Sequence, residues 1–373
     1  MKRMASIDVG NDAVKAFMGE EWTPIYIPNL IAEVPEQREI IDLEKQMLDG
    51  LHVTILSGGL QRGKGTYAVG KLAARYPNND ELTPESQKSE SDQSLVLLLT
   101  TLAYDAVQQQ PGAPIVEVTY DLSTGLPLSE VKAGKREIFK KKLLENTHEV
   151  IFHQTPQAEG VRVRIQLGSV LVNTEGHAAM VDLTTQEDGS PRNEELLQMT
   201  VLIHDIGGLS TDAAIILPDG SVDNVNSDGI REGVSPYLDE IMDKVEKKLN
   251  SPYFKNRREV VEAIVQQDNH LFYKGNRMSI EEIVRPTLER LAREEYKLIE
   301  KMWARVPQIQ RAYLIGGGSL ILKPYLKELN AATNQFPLYF ADQEESIWTI
   351  ARSYAKLLMV ALTQAEAASS EGE

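Results

Sequence analysis

Cysteine is absent from the 373 residues, which excludes a disulfide framework, thiolate metal ligands and a cysteine nucleophile. A reducing cytoplasm is the compartment such a chain is expected to occupy. No run suits a bilayer either: the most apolar one, Leu95 to Val107, is too short to span and contains Asp105. Neither end shows an amphipathic anchor, so no membrane association is expected. Met1-Lys2-Arg3-Met4-Ala5 leads straight into an apolar strand, which leaves no room for a signal peptide. Positive charge is in deficit, with 39 Lys and Arg against 55 Asp and Glu and a net charge of −16. Affinity for DNA rests on cations that neutralise phosphates, so direct contact with nucleic acid is not expected. A basic cluster, Lys132, Lys135, Arg136, Lys140, Lys141 and Lys142, falls on a predicted helix and reads as its solvated face. What remains is ordinary globular composition, 42% hydrophobic and 25% charged, with length for two or more domains.

Two distant stretches look like copies of one device. They are Ile7-Asp8-Val9-Gly10-Asn11-Asp12-Ala13 and His204-Asp205-Ile206-Gly207-Gly208-Leu209-Ser210-Thr211-Asp212. Each reads as an apolar strand, an Asp at its end and a glycine-bearing tight turn. Successive backbone N–H groups in such a turn form a concave anion site. An Asp beside it helps an anion only through an intervening cation. The pair therefore suggests one phosphate chain with its Mg²⁺, held between two related halves.

Strands alternate with helices on both sides of the chain. Strands are expected at Ala5–Val9, Val14–Gly19, Thr23–Pro28, Ile115–Tyr120, Val161–Val172, Thr200–Asp205, Asp212–Leu217 and Arg311–Ile315. Helices are expected at Ser94–Gln108, Glu130–Thr147, Glu175–Leu183, Gly229–Lys248, Val260–Gln267, Ile321–Leu329 and Ser346–Leu362. Ser279-Ile280-Glu281-Glu282 has the form of a capping box opening a helix to about Val306. Tyr76–Asp92 reads as a mobile loop, Asp188-Gly189-Ser190-Pro191 as a domain boundary and Ala365–Glu373 as a disordered tail. Gly58-Gly59-Leu60-Gln61-Arg62-Gly63-Lys64-Gly65 nearly matches a P-loop. However, Gly65 stands where the magnesium-ligating Ser or Thr belongs, and a strand follows instead of a helix, so it reads as a hairpin. The fold class is α/β, with duplicated mixed-sheet domains.

These residues resemble the actin–sugar kinase–chaperone ATPase superfamily, and within it the ParM-like bacterial actins of plasmid segregation. Asp8-Val9-Gly10-Asn11 with Lys15 resembles the first phosphate loop. Asp205-Ile206-Gly207-Gly208 with Ser210, Thr211 and Asp212 resembles the second, and Leu314-Ile315-Gly316-Gly317-Gly318 the adenosine motif. Leu126-Pro127-Leu128-Ser129-Glu130 and Tyr67-Ala68-Val69-Gly70 are similar to two further segments of the group. Asn11 replaces the hydroxyl residue usual in the first loop, and its amide still donates to phosphate.

The resemblance implies an actin-like, ribonuclease H-like fold with a nucleotide cleft between its domains. Domain I would comprise 1–195 and 346–373, with an inserted subdomain at about 31–93. Domain II would comprise 196–345, with a helical subdomain at about 226–308. It implies that Asp8 and Asp205 orient Mg²⁺ through water, since Mg²⁺ dehydrates reluctantly. Gly10, Asn11, Gly207, Gly208, Leu209, Ser210 and Thr211 would meet the phosphates of ATP or GTP, and Lys15 would add a point charge. Asp212 either helps the metal or caps the turn. Gly316, Gly317 and Gly318, with Gly233, would face adenosine. The water-orienting residue of the family opens a helix after a strand, which here is Glu175; the alternative is a first-turn Glu favoured by the helix dipole. His177 reads as a surface or packing residue, and His204 as a neighbour of Asp205 rather than a base.

The function implied is a cytoplasmic Mg²⁺-dependent ATPase that polymerises into dynamic filaments for plasmid segregation, with itself as partner and an adaptor protein contacting DNA. The alternative is a non-polymerising small-molecule kinase, for which no separate base motif is visible. A chaperone ATPase would carry a further peptide-binding domain, and a membrane-bound actin would need an anchor.

Overall fold

The computed structural model describes residues 1–39, 45–79, 87–187 and 190–370. They form two compact units, Met1–Ser190 with Ile350–Glu373, and Pro191–Thr349.

In the first unit the strands are β1 (Lys2–Val9), β2 (Ala13–Met18), β3 (Thr23–Pro28), β4 (Ile31–Glu33), β5 (His52–Ser57), β6 (Lys64–Val69), β7 (Ile115–Leu126), β8 (His148–Phe152) and β9 (Arg162–Thr174). The helices are α1 (Asp92–Gln109), α2 (Leu128–Lys132), α3 (Lys135–Leu144) and α4 (Glu175–Thr184). The described strands make one sheet ordered β3-β2-β1-β7-β9-β8-β5-β6-β4. β1, β7 and β9 are parallel, and the flanking pairs are antiparallel. Helix α1 packs against this sheet, and its Leu95–Leu99 stretch is buried throughout. The Asp105 that interrupts the apolar run is also buried. It accepts Arg3 Nε at 2.7 Å and Tyr120 Oη at 2.6 Å, which ties the helix to β1 and β7.

In the second unit the strands are β10 (Thr200–Ile206), β11 (Thr211–Ile216), β12 (Asp228–Ile230), β13 (His270–Tyr273), β14 (Asn276–Ser279), β15 (Ile309–Ile315) and β16 (Leu338–Phe340). The helices are α5 (Ser235–Leu249), α6 (Arg257–Val265), α7 (Glu281–Arg305) and α8 (Gly317–Ala332); α9 (Gln343–Ser370) follows, and from Ile350 its residues belong to the first unit. The main sheet is ordered β12-β11-β10-β15-β16. Strand for strand this repeats β3-β2-β1-β7-β9. Each has an antiparallel hairpin, a third antiparallel strand outside it and two parallel strands on the other side. The expected duplication is thus present in topology as well as in motif.

Several expected elements differ. The helix expected over 130–147 is two helices, broken where Gly134 takes φ +76°. The helix expected from Gly229 starts at Ser235, because Gly229 pairs with Asp212 in the sheet. The capping box at Ser279 does not form. Ser279 ends β14 and its hydroxyl accepts the Glu281 N–H at 3.2 Å, so it stands one residue before the N-cap. The decoy P-loop is the turn between antiparallel β5 and β6. The tail expected to be irregular from Ala365 continues as helix to Ser370, and 371–373 lie outside the described residues, as do 80–86 of the expected loop and 188–189 of the expected boundary.

One pH effect follows from the first sheet. His52 is fully buried. Its Nε2 faces Pro35 O at 3.0 Å, while Nδ1 has no hydrogen-bond partner among the described residues. Burial, with the neighbouring His153, holds the imidazole down at about 4. The unfolded chain therefore takes up this proton below about pH 6.5 while the folded chain waits until about pH 4. This contribution is complete above pH 6.5, and about 3 kcal/mol of it is lost on acidification across that window. Denaturant titrations should show a pH slope in this range that His52→Asn reduces; equal slopes would refute the assignment.

Candidate phosphate loops

The first loop joins β1 to β2. Asp8, at the end of β1, is only 8% exposed. Burial pushes its carboxyl up from the ordinary range, against the pull of the Lys88 and Lys15 ammonium groups. Lys15 Nζ bonds Asp12 Oδ1 at 2.6 Å. Burial alone would lower this lysine, but Asp12 and Asp8 hold it above its ordinary value. Gly10 allows the tight turn: a Cβ there would stand 2.8 Å from Ala13 O and 3.1 Å from Lys15 Nζ. The loop is braced from behind. Asn29 Nδ2 donates to Gly10 O at 2.7 Å, the Asn29 N–H donates to Asp12 O at 3.0 Å, and Gln93 Nε2 donates to Asn29 Oδ1 at 2.7 Å. Asn11 and Asp12 form the outer part of the turn.

Glu175 opens α4, as expected, and its carboxylate pairs with Lys88 Nζ. The far end of α4 is fixed by Asp182, which takes Arg352 at 2.9 Å and Lys356 at 2.8 Å from α9. At its near end Arg136 donates to Thr174 Oγ1 at 2.8 Å. One member of the basic cluster therefore braces this helix start.

The second loop joins β10 to β11, with Asp205 and Asp212 opposite each other in register. Gly207 N–H donates to Ser210 O at 2.9 Å and closes the turn. The start of α5 is docked on it: Val234 N–H donates to Gly207 O at 3.1 Å and Ser235 N–H to Gly208 O at 2.7 Å. Gly233 permits this approach, since a Cβ there would lie 2.6 Å from both Gly207 O and Gly208 O. Leu209 is buried, and Gly207, Gly208 and Ser210 are partly exposed. Thr211, grouped with the phosphate contacts in the sequence, spends its hydroxyl inward: fully buried, it donates to Glu295 Oε1 at 2.8 Å. Glu295 also meets His204 Nε2 at 2.9 Å, and both side chains are fully enclosed. His204 is thus a packing neighbour of the loop rather than a base within it.

The glycine triplet after β15 divides by role. Gly316 has φ +80°, and a Cβ there would lie 2.3 Å from Asp205 Oδ1 and 2.6 Å from Ile206 O. At Gly318 a Cβ would lie 2.5 Å from Ile206 Cγ2. These two glycines are required by the chain's own packing on β10. Gly317 faces open space, with nothing within 4 Å of a Cβ.

Residues 6–176 match the model of the actin-like protein N-terminal domain, and residues 200–336 match that of the Alp7A C-terminal domain. The chain belongs to the actin-like proteins. Among solved structures it is similar to the actin-like protein Alp7A, with a TM-score of 0.79, 16% identity and full coverage of both chains. Bacillus thuringiensis ParM with ATP gives 0.71 at 22% identity, covering 97% of this chain and 99% of that one. A subunit of a 15-stranded ParM filament from Clostridium botulinum gives 0.72 at 18% identity, covering 96% and 99%. These likenesses establish the actin-like fold. A search of curated proteins finds no match.

In this actin-like chain, sequence reasoning missed Lys88, Asn29, Gln93 and Glu295. Lys88 lies in a polar stretch without periodicity or motif, so nothing in the sequence marks it. Glu295 carried a usable signal: it falls on the buried stripe Leu288, Leu291, Ala292, Tyr296 and Ile299 of α7, where an acid needs a partner.

Proposed function

We propose that this chain is an ATPase that polymerises into nucleotide-dependent filaments for DNA segregation, acting in the cytoplasm through a DNA-binding adaptor. The observation that carries this reading is the matched pair of Asp–glycine hairpins on a duplicated five-strand frame, in a chain of the actin-like family. In the first loop, Gly10 and Asn11 offer donors to phosphate oxygens and Lys15 adds charge. In the second, Gly208, Leu209 and Ser210 offer amides, while Gly207, its own N–H given to Ser210 O, closes the turn and Thr211 braces the loop through Glu295. Gly317 is the triplet position with room to face adenosine, Gly316 and Gly318 set the backbone on either side of it, and Gly233 lets the start of α5 dock on the second loop.

The residues fit Mg²⁺ as a hydrated ion. Asp8 and Asp205 are hard oxygen donors, one in each loop. Such a donor set suits an ion that keeps its waters and binds phosphate. When bound, Mg²⁺ neutralises phosphate charge. Asp8 and Asp205 would accept hydrogen bonds from its waters. Glu175, fixed at the start of α4, accepts a hydrogen bond from the attacking water and orients it. Among the described residues no helix is long and apolar enough to cross a membrane.

The test is right-angle light scattering with Mg²⁺ and ATP, followed together with phosphate release. Scattering that rises only with nucleotide and decays as phosphate appears is expected. Phosphate release with flat scattering would favour a soluble kinase or switch. Glu175→Ala should slow phosphate release by about 10²-fold or more while filaments still form. An unchanged rate would place water orientation elsewhere.

A further inference from the structure

The Leu126-Pro127-Leu128-Ser129-Glu130 segment and Lys88 lie far apart in the sequence. The structure joins them. Strand β7 ends at Leu126 and α2 begins at Leu128, which brings Glu130 into the interior at 6% exposure. Its carboxylate accepts the Lys88 N–H at 2.8 Å on Oε1, and on Oε2 the Ser89 N–H at 3.0 Å and the Ser89 hydroxyl at 2.5 Å. Charge-assisted bonds of this kind are the strong ones. They pin the backbone of residues 88–89 to the end of the central strand.

From that fixed backbone the Lys88 side chain runs inward. It is 8% exposed, and its ammonium pairs with the Glu175 carboxylate and also acts on Asp8. A buried lysine is costly unless paired. This one sits beside two carboxylates already assigned to nucleotide chemistry and is locked by a third. Ser91 at the N-cap of α1, whose hydroxyl accepts the Ser94 N–H at 3.3 Å, continues the same rigid connection.

We propose that Lys88 is a positioning residue for hydrolysis, holding the Glu175 carboxylate in its water-accepting orientation, and that Glu130 sets Lys88 in place. This rests on the ATPase reading above. A carboxylate orients water only when correctly aimed. Lys88 supplies that aim by its ion pair with Glu175, whose side chain is 13% exposed. The relay runs from Glu130 through Lys88 to Glu175, and Glu130 acts without meeting nucleotide.

The test is a kinetic double-mutant cycle on the full chain. It uses Lys88→Ala, Lys88→Arg, Glu130→Ala, Glu175→Ala and the Lys88→Ala/Glu175→Ala double variant, with thermal melts to confirm folding. Lys88→Ala should lower kcat by about 10²-fold and change KM for ATP little. Lys88→Arg should restore much of the loss, and Glu130→Ala should lower kcat in the same direction. The decisive result is non-additivity: the double variant should hydrolyse ATP at the rate of Glu175→Ala alone. Multiplicative losses, with weakened binding of a fluorescent ATP analogue to Lys88→Ala, would make Lys88 an independent phosphate ligand and overturn the proposal. So would an unchanged kcat in folded Lys88→Ala. Where Lys88→Ala fails to fold, Lys88→Arg and Glu130→Ala decide between the same outcomes. A wild-type chain that binds and hydrolyses no ATP would instead overturn the ATPase reading and this inference with it.

Discussion

Asp205→Ala is expected to abolish ATP-driven assembly and to lower phosphate release by at least about 10³-fold. Asp205 is placed by three independent features: the end of β10, its register partner Asp212, and Gly316, whose missing side chain leaves room for Oδ1. On the ATPase reading proposed above, removing the carboxylate deletes the charge proposed to answer hydrated Mg²⁺, and electrostatic groups of this kind carry the largest share of phosphoryl-transfer catalysis. Asp205→Asn keeps the shape and loses the charge, so it should fold like the wild type and retain little activity. Scattering and phosphate release, with a melting curve to show that each variant folds, check the prediction. Ordinary filaments from Asp205→Ala would sink the two-loop reading.

The second large effect divides the glycine triplet. Gly316→Ala is expected to destabilise the chain by about 3 kcal/mol or more. At φ +80° and ψ 161° the backbone lies in a region that essentially only glycine adopts, which costs a residue with a Cβ about 1–3 kcal/mol, and overpacking adds about 1–3 kcal/mol. Here the added Cβ would stand 2.3 Å from Asp205 Oδ1, within the second loop itself. Gly317→Ala meets nothing and lies in the first turn of α8. It should leave stability unchanged or raise it by up to about 1 kcal/mol through helix propensity. If the triplet faces adenosine, Gly317→Ala should also weaken nucleotide binding. Chemical denaturation and a nucleotide titration separate the effects. Equal stability losses at 316 and 317 would show that the triplet is one flexible loop without divided roles.

The glycines also show how much of the site could be read in advance. All three were visible as one motif, and a motif read alone assigns one reason to the set. The packing of Gly316 and Gly318 on Ile206 depends on β15 lying beside β10, a pairing between segments about a hundred residues apart. Gly233 was grouped with the adenosine residues, whereas its contacts are with the carbonyls of the second phosphate loop. Thr211 likewise reads as part of a loop until β11 and α7 set its hydroxyl against Glu295. Element existence was legible where the pattern was strong, as at α1 and β10. Ends were not, as at β7, which continues past Tyr120 because β9 pairs with it to Leu126.

The α/β class, the duplication and the two Asp–glycine hairpins are written in the residues alone. Each of these depends on local chemistry: apolar strands, a turn that tolerates close backbone approach, and an acid at a fixed offset. The sequence also places Glu175 at a helix start, because the strand-to-helix change is written in adjacent residues. Only the tertiary structure decided which charges meet. Lys88, Glu130 and Glu175 come from three separated segments, and Glu295 reaches the hairpin that carries His204 and Thr211 from a helix far along the chain. Burial turns such meetings into strong interactions, and burial is a property of the folded chain that no single segment carries.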